Sequence, residues 1–445
     1  MKDLITDKPD SENLNGKPER TWKYRRPTVL VESQSAPVLK GDPAEQSYMR
    51  AFPLTSPKDL VVTDFELNAC YITDYLGSTL GFDLPKFVVV PKNGSGCLSE
   101  NLMSSNDSVG AIRDWHLQTD GLGKIQFFNV TESEKKLAEK VGVEATCGDI
   151  NKAIEIGSKT GFRRLCEKLG VPMPEGYICG DEVSTEEAIG KLFGDGKNVL
   201  IKSENGTGGT ELKSNILLSQ SEYENSKLPF KEYVSQKLGY FDGVLGKEWV
   251  VEEVIQGDDG SIHAYIQDQL HADPSFVLGA ISENNSYVGG YWPFVGTSET
   301  EKMRAIVDQI LIPELQKTGV YGYHCFDFKD GKFLEDNVRQ GALDFIDGTV
   351  ARAAEIHFPG QNYAFWHSHV PVSRPTNFNE VWAKFKPYLT PTNNFNHLLG
   401  IVTNPEVLPF GRSLDLTAVS FGQGSSLGRA KRHFEELVKI VRLTL

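Results

Sequence analysis

The stretch "VLIKSENGTGGTEL", residues 199–212, joins a short apolar run to a glycine-rich segment and places one lysine between them. The run is rich in β-branched residues, which predicts a buried strand ending near Lys202. Gly206, Gly208 and Gly209 follow, and glycine lets the backbone approach a ligand closely. Successive N–H groups in such a loop can point at a phosphate. The alternative interpretation is a tight hairpin with a surface lysine, and the rest of the chain has to decide between them.

The composition is that of a soluble globular protein with an excess of acidic side chains. The chain has 445 residues, which is enough for about two to three domains. It carries 46 basic and 60 acidic residues, a formal net charge of −14. Nucleic acids and anionic membranes favour basic faces, so we expect neither of them as a partner. A small anion in a local pocket remains compatible with this charge.

The cysteines and the N-terminus predict the compartment. Six cysteines lie scattered at positions 70, 97, 147, 166, 179 and 325, without a C-x-x-C pair. This spacing is typical of neither a zinc site nor a disulfide framework. No apolar run approaches the roughly 20 residues that cross a bilayer, and residues 1–27 lack a signal-peptide core. We therefore expect a cytoplasmic protein with a flexible leader over residues 1–27.

From residue 28 to about 150, strand-like runs alternate with helical spacing. "TVLVES" and "KFVVVPKNG" are short apolar runs that end in turn residues. "DFELNACYITDYLGSTLG" lies between them, has apolar residues at helical spacing and ends on glycine. The alternation predicts a βαβ unit with a parallel sheet and an α/β fold class.

Beyond residue 150 the pattern predicts helices followed by strand pairs. Two helices are separated by a break at Gly157, and a third begins near Ser184 or Thr185 as its cap. Two strands joined by a turn at residues 257–260 follow, and then a hairpin that turns at residues 284–285. A long amphipathic helix, a second hairpin, a late strand and a terminal helix complete the chain.

The second hairpin, "FDFKDGKFLEDNVRQG" at residues 326–341, places acids among aromatic and apolar residues. If its loop has three residues, Asp327 and Glu335 lie directly opposite, with Cβ atoms about 5 Å apart. Such carboxylates repel unless a proton or a cation lies between them. Mg²⁺ suits the site because it uses one or two carboxylates plus substrate phosphates, and Asn337 lies on the same face. A two-residue turn would instead set Asp327 against Leu334, and a solvated hairpin face is the alternative interpretation.

Taken in order, these segments resemble the ATP-grasp superfamily of carboxylate–amine and carboxylate–thiol ligases. "SKTGFRRLCEKLGVPMPEG" resembles its first ATP-binding lysine and helix, and "IKSENGTGG" resembles its strand lysine and glycine-rich lid. "VEEVIQGDD" resembles the linker that holds adenine and ribose, and "LEDNVRQG" resembles the Glu-x-Asn-x-Arg metal motif. Order and spacing agree from about residue 151 to residue 348.

The resemblance implies an ATP-grasp fold, in which two α+β subdomains clasp ATP, preceded by a βαβ pre-ATP-grasp domain. It implies a pre-ATP-grasp domain at residues 28–150 and an N-terminal subdomain with the lid at residues 151–250. The C-terminal subdomain then covers residues 251–445, with the metal motif and a C-terminal extension of unassigned role.

The resemblance also assigns basic residues to the ATP phosphates. Lys202 matches the lysine that contacts the phosphates, where a compact ammonium offsets triphosphate charge. Lys159 matches an earlier lysine near adenine and the α-phosphate, and Arg163, one helical turn later, is the alternative. The mobile lid loop is matched by Gly206, Thr207, Gly208 and Gly209.

The linker residues match the part of the family that reads the nucleoside. Glu252 and the main chain through Ile255 match the adenine-reading segment, with Ile255 or Val254 packing the base. Glu253 has an equal claim if the strand register shifts by one residue. Asp259 matches the carboxylate that binds the ribose hydroxyls, although many relatives have Glu there.

The hairpin residues match the family's metal ligands. Asp327, Glu335 and Asn337 would hold Mg²⁺, with Mn²⁺ as a possible substitute, although Asp327 stands where Glu is common. Arg339 matches the arginine that holds an acyl-phosphate or a substrate carboxylate, and its planar fork suits either anion.

The activity that the resemblance implies is activation of a carboxylate by the γ-phosphate of ATP, followed by attack of an amine. The products are an amide, ADP and phosphate, and the catalytic residues are Lys202 and Arg339. No general base is evident. Residues 61–150 loosely resemble the pre-ATP-grasp domain of the peptide ligase of pheganomycin biosynthesis. This similarity favours an amino acid or a small peptide as substrate.

Other activities remain open. The amine could be added to a small non-peptide acid or to an activated enol. The protein could bind ATP without turnover, or it could be an adenylating ligase that releases AMP. The relatives often dimerise, so a homodimer is possible.

The remaining polar residues of this region favour structural roles. His263, His271 and His324 lie on or beside predicted strands, where a hydrogen-bonded structural histidine is the common case. Cys325 is expected to be a small core residue and not a nucleophile.

Overall fold

The computed structural model describes twelve parts of the chain, which are residues 26–33, 35, 48–92, 97–204, 214–241, 245–257, 259–283, 286–294, 296–391, 398–410, 413–422 and 425–445. The predicted lid loop, Gly206 to Gly209, and the leader up to residue 25 lie outside these parts.

The N-terminal part is built around a four-stranded parallel sheet with the strand order β3-β2-β1-β4. Its strands are β1 (Thr28–Val31), β2 (Leu60–Thr63), β3 (Lys86–Val89) and β4 (Lys124–Phe127). The helices of this part are a 3₁₀ helix (Tyr48–Leu54), a π-helix (Cys70–Thr79), α1 (Leu98–Ser104), α2 (Asn106–Gln118) and α3 (Glu132–Val141). The predicted βαβ arrangement with a parallel sheet is confirmed.

The helix predicted between β2 and β3 is a π-helix, which the spacing alone does not indicate. The N–H of Leu80 donates to the carbonyl of Tyr75, five residues earlier. The wider turn buries Tyr71 and Tyr75 completely. Their rings contact Phe378 near the C-terminal end of the chain, at centroid distances of 4.9 and 5.4 Å.

The middle part contains an antiparallel sheet with the order β5-β8-β6-β7. Its strands are β5 (Gly176–Cys179), β6 (Val199–Ser203), β7 (Asn215–Leu218) and β8 (Trp249–Glu253). Its helices are α4 (Ile150–Ile156), α5 (Lys159–Leu169), α6 (Glu182–Gly194), α7 (Gln220–Ser226) and α8 (Phe230–Gly239). The predicted break at Gly157 is confirmed, and α5 ends at Gly170, which adopts a positive φ.

The predicted cap of α6 is wrong. The helix begins at Glu182, and its N-cap is Asp181 instead of Ser184 or Thr185. The carboxylate of Asp181 accepts the N–H of Ser184 at 2.7 Å. An aspartate at this position satisfies a free N–H of the first turn, so the helix starts earlier than the apolar periodicity suggests.

The C-terminal part is an eight-stranded sheet with the order β13-β12-β9-β10-β11-β14-β16-β15. Its strands are β9 (Asp259–Ile266), β10 (Phe276–Glu283), β11 (Ser286–Trp292), β12 (Gly322–Lys329), β13 (Lys332–Asn337), β14 (Tyr363–Pro371), β15 (Leu398–Thr403) and β16 (Ser413–Phe421). Its helices are α9 (Ser298–Ile306), a π-helical turn (Val307–Leu311), α10 (Ile312–Thr318), α11 (Ala342–His357), α12 (Phe378–Leu389), a 3₁₀ helix (Pro405–Phe410) and α13 (Leu427–Thr444).

The connection between β8 and β9 crosses from one sheet to the other. The sequence predicts these strands as neighbours joined by a turn, but β8 pairs with β5 and β6, whereas β9 pairs with β10 and β12. Residues 254–257 therefore lead from one sheet towards the other. Their predicted role in holding adenine and ribose stays a prediction.

The hairpin of β12 and β13 confirms the predicted pairing but not the predicted loop. Lys329 pairs with Lys332, so the turn has two residues, Asp330 and Gly331, both with positive φ. A β-bulge after Asp327 then shifts the register by one residue. Asp327 consequently lies opposite Glu335 and not opposite Leu334. The predicted three-residue loop is therefore wrong, whereas the predicted pairing of Asp327 with Glu335 is confirmed.

The hydrophobic core joins the first and last sheets and leaves the middle sheet with a core of its own. Two large clusters combine residues of the parallel sheet with residues of the eight-stranded sheet. A smaller cluster around Ile189, Val199 and Val251 belongs to the middle sheet alone. Among the described helices, none is long and apolar enough to cross a membrane. The candidate site lies where the middle sheet faces the hairpin of β12 and β13.

Candidate active site

Lys202 lies at the end of β6 and takes part in a buried group of charges. Lys202 opposes Val250, and Leu200 opposes Glu252, so Lys202 and Glu252 share one face of the sheet. The Lys202 Nζ lies 2.5 Å from one Glu252 oxygen, and Arg163 lies 3.1 Å from the other. All three side chains are buried. The surface lysine of the alternative interpretation is therefore excluded.

A glycine makes room for this group. Gly176 on β5 lies opposite Glu252. A Cβ at this position would lie 2.5 Å from the guanidinium of Arg163 and 2.6 Å from the Cβ of Glu252. Any side chain here would therefore displace the Arg163–Glu252 pair.

Lys159 reaches the hairpin from the start of α5. Ser158 caps the helix by accepting the N–H of Gly161, which fixes the first turn. The Lys159 Nζ lies 3.2 Å from an oxygen of Glu335. Lys202 approaches the same strand, since its Nζ donates to the carbonyl of Leu334 at 3.4 Å. Two lysines from the middle part thus converge on β13.

The predicted metal ligands lie together on the hairpin. The amide of Asn337 donates to Asp327 at 2.9 Å and to Glu335 at 3.5 Å. The hydroxyl of Ser261 on β9 donates to the other Asp327 oxygen. Burial and the charge of Glu335 raise the pKa of Asp327 to about 6. Although burial also raises the pKa of Glu335, the nearby cations Lys159, Lys202 and Arg339 hold it at about 2.

This donor set fits a divalent cation of the Mg²⁺ type. The amide nitrogen of Asn337 lies between the two carboxylates, in the position where positive charge is favoured. Within the described residues, no group of three or more His, Cys, Asp and Glu side chains forms a metal cage. Mg²⁺ does not need one, because it keeps several waters and binds through one or two carboxylates and substrate phosphates.

Arg339 lies beyond the hairpin and faces the parallel sheet. Its guanidinium lies over the ring of Phe128, 4.7 Å from the centroid, which favours a cation. Its buried Nε has no hydrogen-bond partner among the described residues. Arg339 therefore brings a positive charge into the space between the parallel sheet and the metal ligands.

The carboxylates of the predicted linker residues Glu252 and Glu253 are both engaged in ion pairs. Glu252 holds Lys202 and Arg163, as described above. Glu253 binds Lys332 at 2.6 Å and Lys197 at 3.2 Å. Although burial raises the pKa of Glu253, these partners hold it at about 2. Ile255 is half-buried, and its contact with a base stays a prediction.

Asp259 begins β9, and its carboxylate lies 3.0 Å from the Nζ of Lys329. Its predicted ribose contact also stays a prediction.

The histidines of this region are structural, as expected. His263 binds Asp344 and His324 binds Asp336, each at 2.8 Å and each buried. His271 pairs with Asp268 at the surface. Burial, together with the charge of Asp327, raises the pKa of Cys325 well above its ordinary value, so its thiol stays protonated.

Sequence reasoning missed three residues of the N-terminal part near Arg339, namely Glu32, Phe128 and Arg50. Glu32 directly follows β1, and Phe128 directly follows β4. Arg50 lies over the Phe128 ring, 3.7 Å from its centroid, and its Nε lies 3.8 Å from Glu32. The carboxyl ends of parallel strands are common ligand sites, so an acid directly after "TVLV" was a usable signal.

Sequence reasoning also missed a polar group on the eight-stranded sheet. His369 on β14 pairs with Asp415 on β16 at 2.5 Å. Tyr287 on β11 contacts the His369 ring at a centroid distance of 5.9 Å. The charges of Asp415 and Asp327 both raise the pKa of the buried Tyr287 hydroxyl, after burial itself. Strand pairing alone brings these residues together from distant parts of the sequence, and no local motif marks them.

Comparisons with known proteins find similar structures but no similar sequence. No model of a known protein family matches this chain, and no curated protein matches it. An N5-carboxyaminoimidazole ribonucleotide synthetase in complex with ADP aligns with a TM-score of 0.56 at 13% identity, over 93% of this chain and 97% of its own.

Two further structures give the same picture. The biotin carboxylase domain of a 2-oxoglutarate carboxylase from Hydrogenobacter thermophilus aligns with a TM-score of 0.54 at 14% identity, over 89% of this chain and 86% of its own. An N5-carboxyaminoimidazole synthase from Aspergillus clavatus aligns with a TM-score of 0.51 at 12% identity, over 94% and 99%. Likeness at such identities concerns the fold. The chain has the ATP-grasp fold, preceded by a pre-ATP-grasp domain with a parallel sheet.

Proposed function

We propose that this protein is an ATP-dependent ligase that activates a carboxylate as an acyl-phosphate, joins it to an amine, and releases ADP and phosphate. The observation that carries the proposal is the convergence of Lys159 and Lys202 on the acidic hairpin. Lys159 pairs with Glu335, and Lys202 bonds to the neighbouring carbonyl of Leu334. A triphosphate between these lysines would meet cations on one side and a metal-binding pair on the other.

The basic residues would act through electrostatics and position. Lys202 is buried and held by Glu252, so its charge is oriented before a phosphate arrives, which favours stabilisation of charge that develops in the transition state. Mg²⁺ held by Asp327, Glu335 and Asn337 would neutralise charge on the β- and γ-phosphates. Lys159 would supply a further charge beside the same hairpin.

Arg339 would hold the activated acid. Its guanidinium is packed on Phe128, and its Nε is free of partners among the described residues. A planar guanidinium suits a carboxylate or an acyl-phosphate. The acid would then lie between the metal ligands and the parallel sheet, within reach of a second substrate.

We further propose that the substrates are amino acids or small peptides, as the loose N-terminal resemblance suggests. The six unpaired cysteines support a reducing, cytoplasmic location. A non-peptide acid, an enol and a bicarbonate are the other acceptors that the test includes.

The test is a nucleotide-release screen with Mg²⁺–ATP that resolves ADP from AMP. Single acids, single amines and their pairs are drawn from amino acids, dipeptides, small non-peptide acids and bicarbonate, and an enol is also paired with each amine. We expect ADP and phosphate only when an acid and an amine are both present. AMP and pyrophosphate would overturn the proposal in favour of an adenylating ligase. Tight ATP binding without turnover in every mixture would overturn it in favour of a binding protein.

A further inference from the structure

Glu32 is a buried acid that the proposed nucleotide site does not use. It directly follows β1, the strand between β2 and β4 in the parallel sheet. Glu32 has only 1% of its surface exposed. In open α/β sheets, ligands bind at the carboxyl ends of such strands. Glu32 therefore lies where a small substrate is expected.

The carboxylate of Glu32 lacks the hydrogen bonds that buried acids normally have. Within the described residues, neither of its oxygens has a hydrogen-bond partner. Its ion contact is with Arg50, whose Nε lies 3.8 Å from one Glu32 oxygen. Burying a carboxylate without hydrogen bonds is costly, and buried polar groups that lack partners call for an explanation such as a ligand.

By contrast, Glu134 lies in the same domain and is also fully buried. It accepts hydrogen bonds from the hydroxyls of Ser99 at 2.6 Å and Ser35 at 2.7 Å. The fold can thus satisfy a buried glutamate with serine hydroxyls, and it does not do so at Glu32. Of these two buried glutamates, only Glu32 has both oxygens without a hydrogen-bond partner among the described residues.

The surroundings connect Glu32 to the proposed acyl-phosphate site. Arg339 and Arg50 both lie over the ring of Phe128. The charges of Arg50 and Arg339 both act on the Glu32 carboxyl. The charge of Arg339, which would hold the activated substrate, therefore acts directly on the Glu32 carboxyl. An amine bound at Glu32 would therefore face the activated substrate.

We infer that Glu32 receives the amine substrate and accepts a proton from it, an inference that rests on the proposed ligase function. The amine nitrogen attacks the acyl carbon and forms the C–N bond. The C–O bond to phosphate breaks, and its electron pair leaves with the phosphate. The docked ammonium ion gives its first proton to a Glu32 oxygen, which frees the lone pair for the attack, and the second proton lost by nitrogen leaves with the phosphate. No oxidant, reductant or further reactant is needed.

The protonation behaviour of Glu32 is compatible with this role. Burial raises its pKa to about 7, and the opposing charges of Arg50 and Arg339 lower it from a still higher value. A base acts best when its pKa lies near the working pH. The charged groups that face it are Arg50 on the 3₁₀ helix and Arg339 after β13. We expect the rate of amide formation to rise with pH through about 7.

The experiment compares two nucleophiles with one acid, namely the acid that supports ADP release in the screen. The first nucleophile is the amine from the screen, which is an ammonium ion at neutral pH and must lose a proton. The second is hydroxylamine, which is uncharged at neutral pH and traps an acyl-phosphate as a hydroxamate. Glu32→Gln should lower amide formation about 100-fold, a typical general-base contribution, and leave hydroxamate formation nearly unchanged.

Two control variants separate a base from a structural residue. Glu134→Gln should lower the melting temperature and should not discriminate between the nucleophiles. His369→Ala tests a second candidate base, the His369 imidazole that pairs with Asp415. Equal loss of both products in Glu32→Gln would overturn the inference, as would selective loss of amide formation in His369→Ala. Absence of hydroxamate in the wild-type protein, together with absence of ADP release, would overturn the proposed function itself.

Discussion

Glu252 and Glu32 are both buried glutamates that face arginine, but only one of them is neutralised by the protein. Glu252 lies 2.5 Å from Lys202 and 3.1 Å from Arg163. Glu32 has a single ion contact at 3.8 Å, and neither of its oxygens has a hydrogen-bond partner within the described residues. We call the surroundings of Glu252, Lys202 and Arg163 the proposed nucleotide half of the candidate site. The surroundings of Glu32 and Arg50 are the proposed substrate half.

The difference shows how the buried charges of the two halves are arranged before any ligand binds. The proposed nucleotide half balances its own charges, so its cations are held in place before a nucleotide would bind. The substrate half leaves a buried charge unsatisfied, which lowers stability unless a ligand supplies the missing hydrogen bonds. Natural proteins keep such a cost where function requires it. The comparison predicts opposite effects when the two glutamates are neutralised.

The largest effect is expected for Glu252→Gln. Removing this charge leaves Lys202 and Arg163 close together without a carboxylate, and breaking a buried ion pair in this way costs about 3–5 kcal/mol. Urea denaturation should show this loss. Glu248→Gln is the matched control, because Glu248 pairs with Arg164 at the surface at 2.7 Å, and its loss should cost less than about 1 kcal/mol. Similar losses in both variants would show that burial does not distinguish the pairs.

Lys202→Ala should act on turnover more than on folding. Glu252 keeps Arg163 as its partner, so the fold should survive with a lower melting temperature. Turnover should fall about 100-fold or more, as when one preorganised electrostatic donor is removed. Lys168→Ala, at an exposed lysine that pairs with Glu314, should keep full turnover. Steady-state ADP release checks both, and near-normal activity of Lys202→Ala would exclude the phosphate role.

Glu32→Gln should be more stable than the wild-type protein at alkaline pH, and the difference should grow as pH rises. The pKa of Glu32 is raised from 4.5 to about 7 in the folded chain. Between these values the folded state binds more protons than the unfolded state, so stability falls with rising pH. Glutamine does not ionise and removes this fall. Thermal denaturation from pH 5 to pH 8 should therefore show a higher melting temperature for the variant at the alkaline end, and a lower one there would contradict the comparison.

The smallest effect is expected for Tyr287→Phe. The buried Tyr287 hydroxyl has no hydrogen-bond partner within the described residues, so its removal should change stability by less than about 1 kcal/mol. Tyr363→Phe is the matched control, since the Tyr363 hydroxyl donates to buried Asp347 at 2.9 Å. That variant should cost about 1–2 kcal/mol. Calorimetry of both would show whether polar groups near the substrate half are dispensable for folding.

Much of the fold could be predicted because local patterns and motif order agree. The parallel sheet follows from apolar runs such as "TVLV" separated by helical spacing, and the ATP-grasp fold follows from the order of four motifs. The Asp327–Glu335 pair also follows, because the two acids lie on strands joined by a short turn. Each of these features depends on residues that are close in sequence.

The rest could not be predicted because it depends on tertiary packing. The salt bridges of Glu252 link β8 to β6 and α5, and nothing in "VVEE" distinguishes a carboxylate that holds lysine from one that reads adenine. The His369–Asp415 pair forms only through the register of β14 and β16. The π-helix depends on how Tyr71 and Tyr75 pack against Phe378. Such contacts leave no local trace in the chain.

The bulge in the β12–β13 hairpin bears on how related chains should be aligned. A two-residue turn and one extra residue at Leu334 together bring Asp327 opposite Glu335. A longer turn without a bulge would give the same pairing. Both arrangements place the same residues, 328–334, between the two acids, so the spacing of the acids does not reveal the turn type. Alignments of this region can therefore be anchored on the two acids without a gap, even where the turn itself differs.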